Sequence, residues 1–230
     1  MPILVPLDQA SSRSASCRSE SGKARIFSFA EIGVNHEGDP DAAINLLRLA
    51  AKAGADAVKF QSYSPSRYAS ASDPERLDRV TRFALDEATH AKLAEESARL
   101  DIPVFSTPVT EDVVPMLDKL FPAFKIASGD LTFEPVIRET AKTGKPVILS
   151  TGLGTMEEIE LAIQWFQQEV GEDNLRDRLV LMHCVSAYPT PIEEANLRSI
   201  PYLAKKTGLR IGYSNHVIGL DATLVAAALG

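Results

Sequence analysis

The stretch Phe124-Lys125-Ile126-Ala127-Ser128-Gly129-Asp130 decides how this chain is to be read. A lysine sits inside an apolar, β-prone run that ends in small polar residues, a glycine and a carboxylate. In a strand, successive side chains alternate faces. Phe124 and Ile126 then point under covering helices, while Lys125 and Ala127 point the other way, into a confined space. A lysine there costs free energy unless something anionic meets it. Other segments have the same shape: Val58-Lys59-Phe60-Gln61, Val104-Phe105-Ser106-Thr107, Val147-Ile148-Leu149-Ser150-Thr151-Gly152, Leu181-Met182-His183-Cys184 and Ile211-Gly212-Tyr213-Ser214-Asn215-His216. Each is a short apolar run whose C-terminal end carries groups able to bind or catalyse. Several strands delivering polar ends to one rim is the layout of a (β/α) barrel with its site on the C-terminal face.

Outward from these runs, strands and helices alternate. Strands are predicted at 26–33, 55–61, 102–106, 123–128, 147–150, 179–184 and 209–214. Helices are predicted at about 41–53, 75–100 (in two pieces), 111–120, 133–143, 155–170 and 193–206, with a last one from about Leu220. Asp39 and Pro40 read as N-cap and first helical position. Thr155 with Glu158 three residues on is a capping-box pattern. The alternation predicts a wound parallel sheet. A Rossmann-like sheet is disfavoured because no Gly-x-Gly-x-x-Gly follows strand one. The fold class is therefore α/β, a TIM (β/α)8 barrel truncated after about seven βα units, over residues 25–230. Residues 1–24, rich in serine and without periodicity, read as a mobile arm. The Ser- and Pro-containing connection from Ser62 to Pro74 is long enough to be a candidate lid.

With 230 residues and 45% apolar content the chain reads as one globular domain. A net charge of −7 and the absence of a basic cluster argue against nucleic acid as the main partner. Two cysteines, Cys17 and Cys184, are too few for a disulfide framework and suit a reducing compartment. No apolar run approaches the roughly 18 residues a membrane span needs. The expected location is cytoplasmic.

Lys59 and Lys125 share inward parity, so their common task is to neutralise a phosphate or carboxylate; a Schiff-base lysine is the alternative. Thr107, Ser106, Ser128, Ser150 and Ser214 are turn residues singly, but beside two lysines they can supply donors to phosphate oxygens. Glu31 and Asp130 stand at or past strand ends, where two acids on one rim suit acid/base work or metal binding. His216 lies just past the last strand at the parity of Ser214. His183 reads as structural, His36 as a first-loop candidate and His90 as a surface residue.

On the segments Ala30-Glu31-Ile32-Gly33-Val34-Asn35-His36, Val58-Lys59-Phe60-Gln61, Phe105-Ser106-Thr107-Pro108, Phe124 to Asp130, Leu149-Ser150-Thr151-Gly152, His183 to Pro191 and Gly212-Tyr213-Ser214-Asn215-His216, the chain resembles the sialic acid (N-acetylneuraminate) synthase family. The resemblance runs from about residue 27 to the end. It implies a metal-dependent condensation of phosphoenolpyruvate with N-acetylmannosamine or a related amino sugar, with release of phosphate. It places Lys59, Thr107, Lys125, Ser128, Ser150 and Ser214 on phosphoenolpyruvate, and Gln61 and Ser186 among the substrate contacts. It gives Glu31 acid/base or water-positioning work, sets Tyr188 and Asp130 toward the sugar, and makes His216 a ligand of Mn²⁺ or Mg²⁺. Family members differ at Asp130 (glutamate in some) and Ser186 (asparagine in some), positions that bear on the sugar. The resemblance also implies an eighth strand with a second metal histidine, a C-terminal antifreeze-like domain and a homodimer in the full-length form. This chain is therefore expected to be the front part of a longer enzyme, with doubtful activity alone. Competing expectations are condensation onto a 6-phosphorylated sugar, a Schiff-base aldolase, and an inert barrel fragment that only binds anions or a partner.

Overall fold

The computed structural model describes residues 26–229, and the arm expected at residues 1–24 lies outside them. The chain divides into two units, one spanning Phe29–Ile126 and the other running from Ala127 onward together with residues 26–28.

The first unit runs β1 (Phe29–Gly33), α1 (Pro40–Lys52), β2 (Ala57–Ser62), α2 (Pro65–Tyr68), α3 (Pro74–Phe83), α4 (Glu87–Leu100), β3 (Val104–Pro108), α5 (Val114–Leu120) and β4 (Phe124–Ile126). Its strands are parallel and neighbours in chain order. The register sorts their side chains. Lys59 pairs with Phe105 and Gln61 with Thr107, so these four share one face. Ser106 pairs with Phe124, which puts Lys125 on the face of Thr107. The opposite face carries Val58, Phe60, Val104 and Phe124, all buried, as are Leu47 of α1, Leu93 of α4 and Leu117 of α5. Lys59 and Lys125 thus lie on a common side, as the two-residue period predicts.

The second unit runs α6 (Glu134–Lys142), β5 (Val147–Ser150), α7 (Met156–Val170), α8 (Glu172–Arg178), β6 (Leu179–Cys184), α9 (Ser199–Thr207), β7 (Arg210–Ser214) and α10 (Asp221–Leu229). Here β5, β6 and β7 are parallel. Ser150, Met182 and Gly212 are in register, as are Cys184 and Ser214, so Ser150, Cys184 and Ser214 face one way.

Helix starts follow their sequence signals. Asp39 Oδ1 accepts from the amides of Asp41 and Ala42, with Pro40 opening α1. Thr155 and Glu158 complete the expected reciprocal cap of α7. Other boundaries differ. β4 is only three residues long, because Ser128–Asp130 leave the strand in a tight 3-10 turn. The helix expected at 193–206 is a 3-10 turn at Ile192–Glu194 followed by α9. The connection read as a lid is anchored. Tyr63, Ala69 and Val80 form an apolar cluster, the Ser64 amide donates to Thr110 Oγ1, and Arg67 pairs with Glu111.

Candidate functional site

In the first unit the central feature is an ion pair on the shared face. Lys59 Nζ lies 2.8 Å from Glu31 Oε1, with Lys59 2% exposed and the Glu31 side chain 32% exposed. Their strands bring them together, since Glu31 and Lys59 are register partners. Just beyond Glu31 the register slips between Glu31 and Gly33. Gly33 has a φ of +57°, and a Cβ there would stand 3.2 Å from Glu31 Oε1, so glycine suits both the backbone and the carboxylate.

The ammonium of Lys59 has three donors, so the pair with Glu31 leaves capacity for a further acceptor. Thr107 is fully buried, and among the described residues its Oγ1 has no hydrogen-bond partner. A buried hydroxyl without a partner is rare and costs free energy, so it marks a place where another group belongs. Lys125 is buried on the same face. Gln61, half-buried, stands beside Thr107 in register. Ser106, read with Thr107 as a hydroxyl for phosphate, points to the opposite face, since neighbouring residues of a strand cannot share one.

In the second unit two predicted residues, Ser128 and Ser186, gather together with Cys184 around Gly152. Its amide donates to Ser128 Oγ, which also contacts Cys184 Sγ at 3.0 Å. A Cβ on Gly152 would stand 2.6 Å from Ser186 Oγ and 2.9 Å from both Cys184 Sγ and Ser128 Oγ. The missing side chain lets these polar groups converge. Ser150 is buried and its Oγ, like that of Thr107, has no partner among the described residues. Ser214 lies beside Cys184 in register. Asp130 ends the 3-10 turn and is half-buried.

His216 is held from three sides. Its Nδ1 is 3.0 Å from the Val185 carbonyl, its own carbonyl accepts the Thr190 amide, and its ring centroid is 4.1 Å from that of Tyr188. A carbonyl partner makes Nδ1 the protonated nitrogen and leaves Nε2 with a lone pair. Sequence reasoning missed Asn215, which fixes this loop. Its Oδ1 accepts from the Val217 amide and the Tyr213 hydroxyl, and its Nδ2 donates to Val217 O and Thr223 Oγ1. A strand-end Asn beside the candidate ligand was the available signal.

The single imidazole fits one position of a metal shell, since Nε2 carries the lone pair and the other nitrogen is fixed by a carbonyl. Among the described residues no group of three or more His, Cys, Asp and Glu side chains could hold a metal ion. His183, read as structural, is so: its Nε2 bonds to Ala195 O, its ring stacks on Tyr213, and burial lowers its pKa. His90, read as a surface residue, is buried, because it lies on the inner stripe of α4 with Leu93. His36 is buried too, with Nδ1 accepting the Gly38 amide.

Within each unit parallel strands alternate with helices, with an ion pair and buried hydroxyls on the strands, which makes this an α/β protein. The chain belongs to the NeuB family, whose profile matches residues 46–230. An uncharacterized protein of Methanocaldococcus jannaschii is 43% identical over 89% of this chain and 59% of its own length. The N,N'-diacetyllegionaminic acid synthase of Campylobacter jejuni is 36% identical over 88% of this chain and 64% of its own length. This chain therefore spans about three-fifths of these relatives' lengths. Among solved structures, an N-acetylneuraminic acid (sialic acid) synthetase from Leptospira borgpetersenii superposes with a TM-score of 0.80 at 33% identity, covering 88% of this chain and 69% of that one.

Proposed function

We propose that this chain carries catalytic groups of a phosphoenolpyruvate-dependent synthase that makes a sialic-acid-type nonulosonic acid from N-acetylmannosamine or a related amino sugar. The observation that carries the proposal is the Thr107 hydroxyl, buried and without a partner among the described residues, on the face that holds the Lys59–Glu31 pair and Lys125. A hydroxyl donor flanked by two buried cations is the chemistry a phosphate monoester needs. The Ser150 hydroxyl in the second unit, also buried and without a partner among the described residues, supports the same reading. Within each unit parallel strands alternate with helices, as in the βα units of a (β/α)8 barrel, a fold whose sites lie at the C-terminal strand ends.

In this reading carbon 3 of phosphoenolpyruvate attacks the aldehyde of the open-chain sugar, water adds at carbon 2, and phosphate leaves with cleavage of its C–O bond. Lys59, Lys125 and Thr107 hold the phosphate and balance its charge as it departs. Ser128, Ser150 and Ser214 supply further contacts to phosphoenolpyruvate. Glu31, oriented by Lys59, positions the water or moves its proton. Gln61, Ser186, Tyr188 and Asp130 contact the substrates. His216 would hold a divalent metal, Mn²⁺ or Mg²⁺, which supplies Lewis-acid polarisation of the aldehyde when bound.

A Schiff-base aldolase is the weaker reading. Lys59 Nζ is engaged by a carboxylate, an arrangement for charge balance rather than for attack on a carbonyl. The test is phosphate release from phosphoenolpyruvate by the purified protein, with and without N-acetylmannosamine and Mn²⁺. Release that requires the sugar supports the proposal. No release under any condition, with phosphoenolpyruvate still bound, points to an anion-binding protein instead.

A further inference from the structure

Behind the anion face of the first unit lies a buried hydrogen-bond chain that the proposed reaction does not use. His90 Nδ1 is 2.8 Å from the Asp86 carbonyl, so that nitrogen donates and Nε2 accepts. Ser62 Oγ is 2.7 Å from Nε2 and 2.7 Å from Ser106 Oγ. The only order that satisfies every group runs Ser106 to Ser62 to His90 to the Asp86 carbonyl. His90 is 1% exposed, and Ser62 and Ser106 are buried with it.

A serine at this distance from a histidine has the spacing of an activated nucleophile. Both groups are sealed between the strands and α4, where no substrate reaches them, so the arrangement acts through geometry. Stability alone does not call for it, because apolar residues of matching shape do as well in a core. What the chain adds is a fixed position. Ser62 and Ser106 close β2 and β3 from behind, and their neighbours Gln61 and Thr107 are register partners on the opposite face. The Ser62 carbonyl also accepts the Val109 amide just past β3.

We infer that His90 is a positioning residue: it clamps the ends of β2 and β3 to the start of α4 and thereby sets where Gln61 and Thr107 stand for the bound anion. The identity of that anion rests on the proposed function; the clamp does not.

Two substitutions separate the halves of the clamp. His90→Gln places an amide where Nε2 stands and keeps the bond to Ser62. His90→Asn reaches only the Asp86 carbonyl and releases the strands. Phosphoenolpyruvate is titrated calorimetrically into wild type and both variants, and the backbone amide resonances of Gln61 and Thr107 are followed by NMR. His90→Asn is expected to weaken binding about tenfold and to shift both resonances, while His90→Gln stays within about twofold of wild type. If His90→Asn does not fold, Ser62→Ala breaks the same chain and is read on Thr107. Equal loss of melting temperature in both His90 variants with the Gln61 and Thr107 resonances unmoved would overturn the clamp. If wild type binds no phosphoenolpyruvate, the functional reading falls and the resonances alone decide the clamp.

Discussion

The Nδ1 of His216 and the carbonyl oxygen of Val185 lie 3.0 Å apart, which fixes the imidazole as an Nε2 lone-pair donor. The expected consequence is that His216→Ala loses Mn²⁺ affinity at least about tenfold, or ~1.4 kcal/mol. The fold should stay intact, since this loop is also held by Asn215 and the Thr190 amide. A Mn²⁺ titration followed by electron paramagnetic resonance, with circular dichroism on the same samples, checks this. Equal affinity in the two proteins would remove His216 from the metal site.

Breaking the Glu31–Lys59 pair from the acidic side should destabilise the protein. Glu31→Gln strands a buried ammonium, at a cost of roughly 1–3 kcal/mol, nearer the lower figure because Glu31 is partly exposed. Adding Lys59→Met removes the stranded charge, so the double variant should be more stable than Glu31→Gln alone. Urea unfolding of wild type, both singles and the double variant measures the coupling.

Three buried histidines predict acid sensitivity. Burial lowers the pKa of His36, His90 and His183, and the repulsion that protonating both neighbouring rings would create between His36 and His90 lowers that of His36 further. For each, the unfolded chain binds a proton more readily than the folded one. Their contribution is therefore complete above the ordinary value of 6.5 and is lost as pH falls below it toward the folded pKa. Glu96, held down to about 2 by Arg99 and Arg48, does not titrate in that window. Urea midpoints should drop between pH 7.5 and pH 5.5; a flat profile would contradict this account of the histidines.

Gly152→Ala tests the polar cluster of the second unit. The new methyl meets Ser186, Cys184 and Ser128 at less than 3.0 Å, so these side chains must move. The expected cost is about 1–3 kcal/mol of stability, together with weaker phosphoenolpyruvate binding. Thermal melting and calorimetry on the variant report the two effects separately.

What the sequence disclosed follows from which forces act locally. The strand period placed Lys59 and Lys125 on one face, and side-chain caps announced α1 and α7, because both signals lie within a few residues. The Lys59–Glu31 pair was not legible, since it depends on register between two strands nearly thirty residues apart. His90 was misread because α4 is charged overall. Glu96 is buried on the same helix yet neutralised by Arg48 and Arg99, which masks the inner stripe. Reading His90 with Leu93 three residues on would have exposed it. The face of Ser106 was lost by treating Ser106-Thr107 as one polar unit.

The central claim is that the face bearing Lys59, Thr107 and Lys125 binds the phosphate of phosphoenolpyruvate. The most direct measurement is calorimetric titration of phosphoenolpyruvate into wild type, Lys59→Ala and Lys125→Ala, each confirmed folded by circular dichroism. The account predicts a loss of roughly 1.5–3 kcal/mol of binding free energy for each lysine removed. Affinity unchanged from wild type in both variants would contradict it.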